Sequence, residues 1–320
     1  MMDLIFLKAV FKEKIWGGNK LREEFNLDIP SKKTGEAWII SAHRNGISRV
    51  ISPKEFEGME LDELYQNHRE IFGENLDDTF PLLVKLLDAS ENLSVQVHPD
   101  DEYAKIHEGI GERGKTECWY IVSADEGAEI VYGHRAKTKE EFVKSVEDGN
   151  WENLLRRVKV KKGDFFDVPY GTVHAIGKGI VILETQQSSD TTYRVYDYDR
   201  KDEDGNKREL HIEDSINVSK IPHQDPEIKI DEKILGESRV IKYLKNEFFS
   251  VYKYICKNQL ELSLEDDIYH LMTVVEGEGE IYADGKRYSL KLADSFIVPR
   301  YVKCLEFKGN MEIIVSNPER

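Results

Sequence analysis

The sequence predicts a mainly β protein built from two units, with only a few short helices. Three observations carry this prediction. Short strand-like runs fill most of the chain with Gly, Asp and Asn between them, as antiparallel sheets require. At 320 residues the chain has room for about two domains. A stretch near the C-terminus also repeats, in weakened form, a pattern from the middle of the chain.

Taken in order, the first helix expected is Leu61 to Phe72. Leu61, Leu64, Tyr65, His68, Ile71 and Phe72 form one apolar stripe, ended by Gly73. His68 belongs to that stripe and reads as structural. Leu93 to Pro99 reads as a strand, so Gln96 and His98, two apart, share a face; Ser94 shares it too. Pro99 to Gly114 is polar, with Gly109, Gly111 and Gly114, and reads as either a flap or a solvated connector. In the strand from Lys115 to Val122, Lys115, Glu117 and Trp119 point one way and Cys118 the other.

Thr138-x-x-Glu141 is a capping box for a short helix through Phe142, Val143 and Val146, stopped near Gly149. Gly163-x5-Pro169-x-Gly171-x2-His174 places a histidine just beyond a strand that ends at proline. Asp202 to Asn206 is a polar turn, and His211 opens another short helix. Residues 221 to 237, with Pro222 and Pro226, read as a linker, so the expected division is 1–237 and 238–320.

The second unit aligns His270 with Glu117, and Ala293 to Pro299 with Gly163 to Pro169. That register sets Tyr301 opposite Gly171 and Cys304 opposite His174. His270 and Cys304 are two candidate ligands where four are needed, so this unit is expected to hold no metal.

Gln96, His98, Glu117 and His174 together offer two imidazoles, a carboxylate and an amide oxygen. This N/O donor set suits zinc and tolerates manganese or cobalt. With one anionic ligand the site keeps positive charge, and an open coordination position makes it a Lewis acid.

Composition narrows the partners. Hydrophobic content is 40% and charged content 33%, as in ordinary globular proteins. Net charge of −16 argues against nucleic acid or an anionic membrane surface as a partner. An anionic small substrate then needs local positive charge, which a metal, Lys115 and Arg194 supply. Cys118, Cys256 and Cys304 are odd in number and far apart, pointing to buried thiols in a reducing cytosol. The N-terminal apolar run is too short for a signal-peptide core, and no run approaches transmembrane length. The expectation is a cytoplasmic protein, monomeric or homodimeric.

The glycine, proline and histidine spacing around His174 is a motif of the cupin superfamily. The chain resembles, more narrowly, the short bacterial form of the type I mannose-6-phosphate isomerases. The resemblance runs in order through Lys14–Gly18, Pro81–Lys85, Ser94–Pro99, Gly114–Tyr120, Gly171–Ile176 and Ser189–Asp197. It implies a double cupin, two jelly-roll barrels, without the large helical insertion of the longer members. It implies one zinc per chain on Gln96, His98, Glu117 and His174, with Lys115, Asp190 and Arg194 lining a sugar-phosphate site. The reaction implied interconverts mannose 6-phosphate and fructose 6-phosphate through a cis-enediolate.

On that reading Arg194 fixes negative charge on the intermediate or the phosphate. Asp190 orients Arg194 or moves a proton. Lys115, buried beside a cation, is expected to have a lowered pKa. Ser94 binds phosphate or sugar, and Trp119 is core. Another metal-dependent cupin enzyme, such as a different sugar-phosphate isomerase or a dioxygenase, and a non-catalytic sugar-binding cupin stand as alternatives.

Overall fold

Three antiparallel sheets make up most of the protein. A computed structural model describes residues 3–73, 77–201, 204–264 and 267–319. The first sheet has seven strands. Its order is Phe165–Val168, Glu117–Ala124, Ile180–Gln187, Leu82–Ala89, Thr34–His43 and Val10–Gly18, with Gly46–Ile47 paired to Thr34–His43. The second has five strands in the order Leu155–Lys159, Glu129–His134, His174–Ala175, Val95–Val97 and Tyr193–Tyr196. The third has nine. Asp231–Leu235, Ser238–Lys245, Phe249–Ser263, Cys304–Pro318, His270–Ala283 and Ser295–Val298 are followed by Ile5–Lys8 and Arg49–Ser52, and Lys286–Leu290 pairs with His270–Ala283. Strands from the first 52 residues thus complete the sheet of the C-terminal unit.

The seven-stranded sheet is the middle layer, which explains the unbroken apolar runs of Leu82–Ala89 and Ile180–Gln187. Both strands are buried along their whole length. One face carries Leu87, Trp119, Ile121, Ile180 and Ile182, packed on Ile130 and Tyr132 of the five-stranded sheet and on Ile176 just beyond it. The other carries Val84, Leu86, Cys118, Tyr120 and Leu183, packed on Phe249, Val251, Leu271, Ile297 and Ile314 of the nine-stranded sheet. A separate core, with Met272, Val274, Phe296, Phe307 and Ile313, fills the C-terminal unit. Both sheet packings are those of jelly-roll barrels, the double-cupin arrangement.

The two units repeat each other in hydrogen bonds. Glu117 pairs with Val168 and Trp119 with Phe166; at the aligned positions, His270 pairs with Val298 and Met272 with Phe296. Gly163 N donates to the Ile121 carbonyl at 2.8 Å, and Ala293 N to that of Val274 at 2.9 Å. Asp164 and Asp294 each cap their turn, accepting from the backbone N of Lys161 and Lys291 at 2.9 Å. Gly163 (φ 92°) and Ala293 (φ 68°) both adopt the left-handed conformation that turn demands.

Some local expectations change. The 61–72 helix breaks at His68 (φ −130°, ψ 53°) into Leu61–Asn67 and Arg69–Phe72, and the His68 ring packs 4.6 Å from that of Phe56. The 221–237 stretch is not linker throughout, because Asp231–Leu235 forms the edge strand on Ser238–Lys245. Cys304 is exposed, while Cys118 and Cys256 are buried. Asp202 and Glu203 of the polar turn lie outside the described residues. The cap forms at Thr138, whose Oγ1 accepts from Glu141 N at 3.3 Å, while Glu141 accepts from Lys137 N, one residue before the cap, at 2.7 Å. No helix among the described residues is long and apolar enough to cross a membrane.

Candidate metal centre and substrate site

Two rows of cross-strand neighbours face each other inside the first barrel. Directly paired residues of adjacent strands point to the same face. In the five-stranded sheet, Gln96 pairs with His174 on one side and Arg194 on the other. In the seven-stranded sheet the row runs Trp38, Lys85, Glu184, Trp119. Glu117, two residues before Trp119, projects from the same face.

Gln96, His98, Glu117 and His174 come together in the fold. Ligand atoms of His98, Glu117 and His174 all lie within 4.8 Å of one another. His98 Nε2 is 3.4 Å and His174 Nε2 3.3 Å from the Glu117 carboxylate. The Gln96 amide lies 3.3 Å from His174 Nε2, so it faces the same point.

Protonation favours ligation. His98 Nδ1 donates to the Thr191 carbonyl at 2.9 Å and His174 Nδ1 to that of Thr172 at 2.8 Å. A carbonyl only accepts, so each Nδ1 bears the proton and each Nε2 turns a lone pair inward. Burial, then Lys115, pulls the His98 pKa down to about 3. Burial lowers that of His174 as well. Both rings are therefore neutral near pH 7. Burial opposes ionisation of Glu117, but Lys115 and the two histidines outweigh it and hold its pKa well below the ordinary value.

Glu117 Oε2 is buried and receives no properly directed hydrogen bond, although Lys115 Nζ stands 2.9 Å away. A buried carboxylate oxygen met only by an ammonium, and facing two imidazole lone pairs, fits a divalent cation. Trp119 Nε1 donates at 3.1 Å to both Glu117 Oε1 and Glu184 Oε2, and so orients this ligand. Trp119 is fully buried core, as expected.

Burial works against the charge of Lys115, yet in the metal-free protein Glu117 and Glu184 more than compensate and raise its pKa. Its ammonium also lies 3.2 Å from His98 Nε2.

Ser94, Gln96, Lys115, Asp190 and Arg194 line one cavity of about 90 Å³ together with Lys14, Glu36, Lys85, Glu184 and Arg208. A polar cleft of about 360 Å³ adjoins it through Asp190 and Thr192. A larger hollow of about 1120 Å³ lies between Phe6–Phe11 and Lys291–Ser295 but contains none of these groups, so the chemistry belongs to the small cavity. Asp190 Oδ2 accepts from Asn45 Nδ2 at 2.9 Å. Burial opposes its charge, but Lys85 and that hydrogen bond hold its pKa below the usual carboxylate value. Arg194 donates to the Glu209 carbonyl at 2.9 Å, and its buried Nε has no partner.

The polar insertion after Pro99 closes on itself: Lys115 N donates to the Pro99 carbonyl at 3.0 Å. It holds a helix, Asp101–His107, whose N-cap Asp100 accepts from Tyr103 N at 2.8 Å. Glu108 accepts from Tyr193 OH at 2.7 Å, tying the insertion to the strand of Arg194.

Sequence reasoning missed Glu36, Lys85 and Glu184. Lys85 lies 3.5 Å from Glu184, and both are buried; Lys14 lies 3.0 Å from Glu36. The available signal was a single charged residue inside an apolar strand, in Leu-Leu-Val-Lys-Leu-Leu and Ile-Val-Ile-Leu-Glu-Thr.

Comparison with known proteins agrees with this geometry. Residues 4–140 match the model of the phosphomannose isomerase type I catalytic domain, and 239–318 that of the mannose-6-phosphate isomerase cupin domain. A mannose-6-phosphate isomerase of Streptococcus mutans is 51% identical over 99% of each chain. The crystal structure of the Bacillus subtilis mannose 6-phosphate isomerase superposes with a TM-score of 0.95 at 47% identity, covering 98% of this chain and 99% of that one. A phosphomannose isomerase structure from Salmonella typhimurium, at 15% identity and a TM-score of 0.81 over 100% of both chains, shares the fold.

Proposed function

The chain belongs to the type I phosphomannose isomerase family, and on that premise we propose that it interconverts mannose 6-phosphate and fructose 6-phosphate with one zinc ion per chain. Gln96, His98, Glu117 and His174 would hold the ion. The observation that carries the proposal is the buried convergence of two neutral imidazoles and one carboxylate, next to a cavity that Gln96, Lys115 and Arg194 line.

The reaction moves a proton from C2 to C1, and negative charge builds on the carbonyl oxygen of a cis-enediolate. When bound, zinc supplies a Lewis acid that polarises that carbonyl without redox chemistry. Arg194, beside Gln96 in the sheet, is a fixed guanidinium for the developing charge or the phosphate. Lys115, with its amino group 2.9 Å from Glu117 and 3.2 Å from His98 Nε2, is a second buried donor beside the ligand set. Asp190, ionised and lining the cavity, is the group we assign to move the proton. Ser94 presents a hydroxyl from the Gln96 face for the phosphate or sugar. Lys85 and Glu184 form a buried pair that fixes the opposite wall.

We assign the chemistry to residues 1–237 and a metal-free packing role to 238–320. His270 and Cys304 occupy the counterparts of Glu117 and His174, with His270 buried and Cys304 exposed. The three cysteines are unpaired, which supports the cytoplasm as the working compartment. The test is an assay that couples fructose 6-phosphate formation to a detectable product. Turnover of mannose 6-phosphate supports the proposal; its absence in zinc-loaded protein refutes it.

A further inference from the structure

The cations of the cavity are not balanced evenly. Each of its three lysines has a carboxylate: Lys14 has Glu36 at 3.0 Å, Lys85 has Glu184 at 3.5 Å and Lys115 has Glu117 at 2.9 Å. The arginine side is different. Arg194 bonds an uncharged acceptor, the Glu209 carbonyl, and its buried Nε is unpartnered. A single buried carboxylate, Asp197, serves two guanidinium groups. Arg208 grips it in bidentate fashion, Nε to Oδ2 at 2.8 Å and Nη2 to Oδ1 at 2.5 Å. Arg200 bonds the same Oδ1 through Nη2 and ties its Nη1 to the Asn92 carbonyl.

Arg200 does not line the cavity; Arg208 does, with Ser94, Thr192 and Arg194. Arg208 uses Nε and Nη2 on Asp197, which leaves Nη1 for a ligand. Three guanidinium groups against Asp197 and the cavity carboxylate Asp190 leave a local charge near +1 in a chain of net charge −16. A phosphate monoester carries about −1.5 to −2 near pH 7, with three acceptor oxygens. Planar guanidinium forks suit such oxygens better than ammonium groups do.

We infer that Arg208 is a phosphate-recognising residue of this site and that Asp197 is the positioning residue that aims it, with Arg200 bracing Asp197 from the far side. The inference rests on the sugar-phosphate reading of the cavity. Asp197 acts through Arg208 and touches no substrate.

The experiment pairs steady-state kinetics on mannose 6-phosphate with calorimetric titration of the zinc-loaded protein by inorganic phosphate. The titration needs no turnover, so a wild-type protein lacking isomerase activity would sink the reaction while still testing the anion site. Arg208→Ala is expected to raise KM and to weaken phosphate binding, each by about 10- to 100-fold, the loss expected for a hydrogen bond to an ionised group. The turnover number stays within about threefold, because a contact to the remote phosphate acts before and during the reaction alike. Arg208→Lys recovers part of the loss, since it keeps the charge and not the fork. Asp197→Asn, which keeps the shape and not the charge, moves KM and phosphate binding in the same direction by a smaller factor. A folded Arg208→Ala protein with KM and phosphate affinity within about threefold of wild type overturns the inference, as does a fall in kcat with KM unmoved. Should the alanine variant not fold, undiminished phosphate binding by Arg208→Lys and Asp197→Asn overturns it instead.

Discussion

Replacing Trp119 by Phe removes one N–H group and tests how the candidate ligand set is held. That N–H lies 3.1 Å from both Glu117 Oε1 and Glu184 Oε2, and the side chain is fully buried. A hydrogen bond to an ionised group contributes about 1.5–3 kcal/mol. One proton shared between two acceptors does not count twice, so the polar loss is about 2–3 kcal/mol. The smaller ring adds about 1 kcal/mol for the space it vacates. Metal-free Trp119→Phe is therefore expected to lose about 3–4 kcal/mol in chemical denaturation. Its zinc affinity, read by competition with a chromophoric chelator, should fall about 10- to 100-fold, as for other groups that orient a ligand. Cys118→Ala is the control. Cys118 is adjacent in sequence but packs on the opposite face of the strand, against the nine-stranded sheet side. It should lose stability without losing zinc affinity. Unchanged zinc binding in Trp119→Phe, or an equal loss in Cys118→Ala, would refute the face assignment and the orienting role together.

Other consequences are open to measurement. Arg194→Ala should keep its zinc and lower kcat/KM about 10²-fold or more, with incomplete recovery in Arg194→Lys; near-wild-type kinetics would return Arg194 to a structural role. Replacing His270 and Cys304 together by Ala should leave zinc stoichiometry and kcat unchanged, whereas removing residues 238–320 should cause aggregation by exposing the Cys118 face of the middle sheet. Metal-free protein should weaken as pH falls. The folded His98 titrates at about 3 against an ordinary value of 6.5. Protons therefore bind the unfolded chain first, and the stability present above pH 6.5 is lost progressively toward pH 3. Urea midpoints that do not move between pH 7 and pH 4.5 would contradict the buried, neutral His98.

Much of the site was legible because strand geometry is periodic. Gln96 and His98 needed only a spacing of two, and Glu117 and Trp119 separated from Cys118 for the same reason. The repeat was legible because its turn depends on few atoms: a left-handed residue and an aspartate that caps the backbone. Lys85, Glu184 and Glu36 were not legible, since each is one charge in an apolar strand until register pairs Lys85 with Glu184. Glu184, the second carboxylate beside Lys115, stayed hidden for the same reason. Asp197 and Arg208 are 11 apart in the chain and meet only once the intervening loop closes. Asp231–Leu235 looked like linker because it is charged and follows Pro226; an edge strand with one open side tolerates that composition.

The most direct test of the account is a zinc titration of metal-free protein, following mannose 6-phosphate turnover at each addition. The account predicts no activity without metal, a linear rise to one equivalent per chain and a plateau beyond it, with His174→Ala inactive throughout. Full turnover by metal-free protein, or a rise that continues to two equivalents, would contradict it.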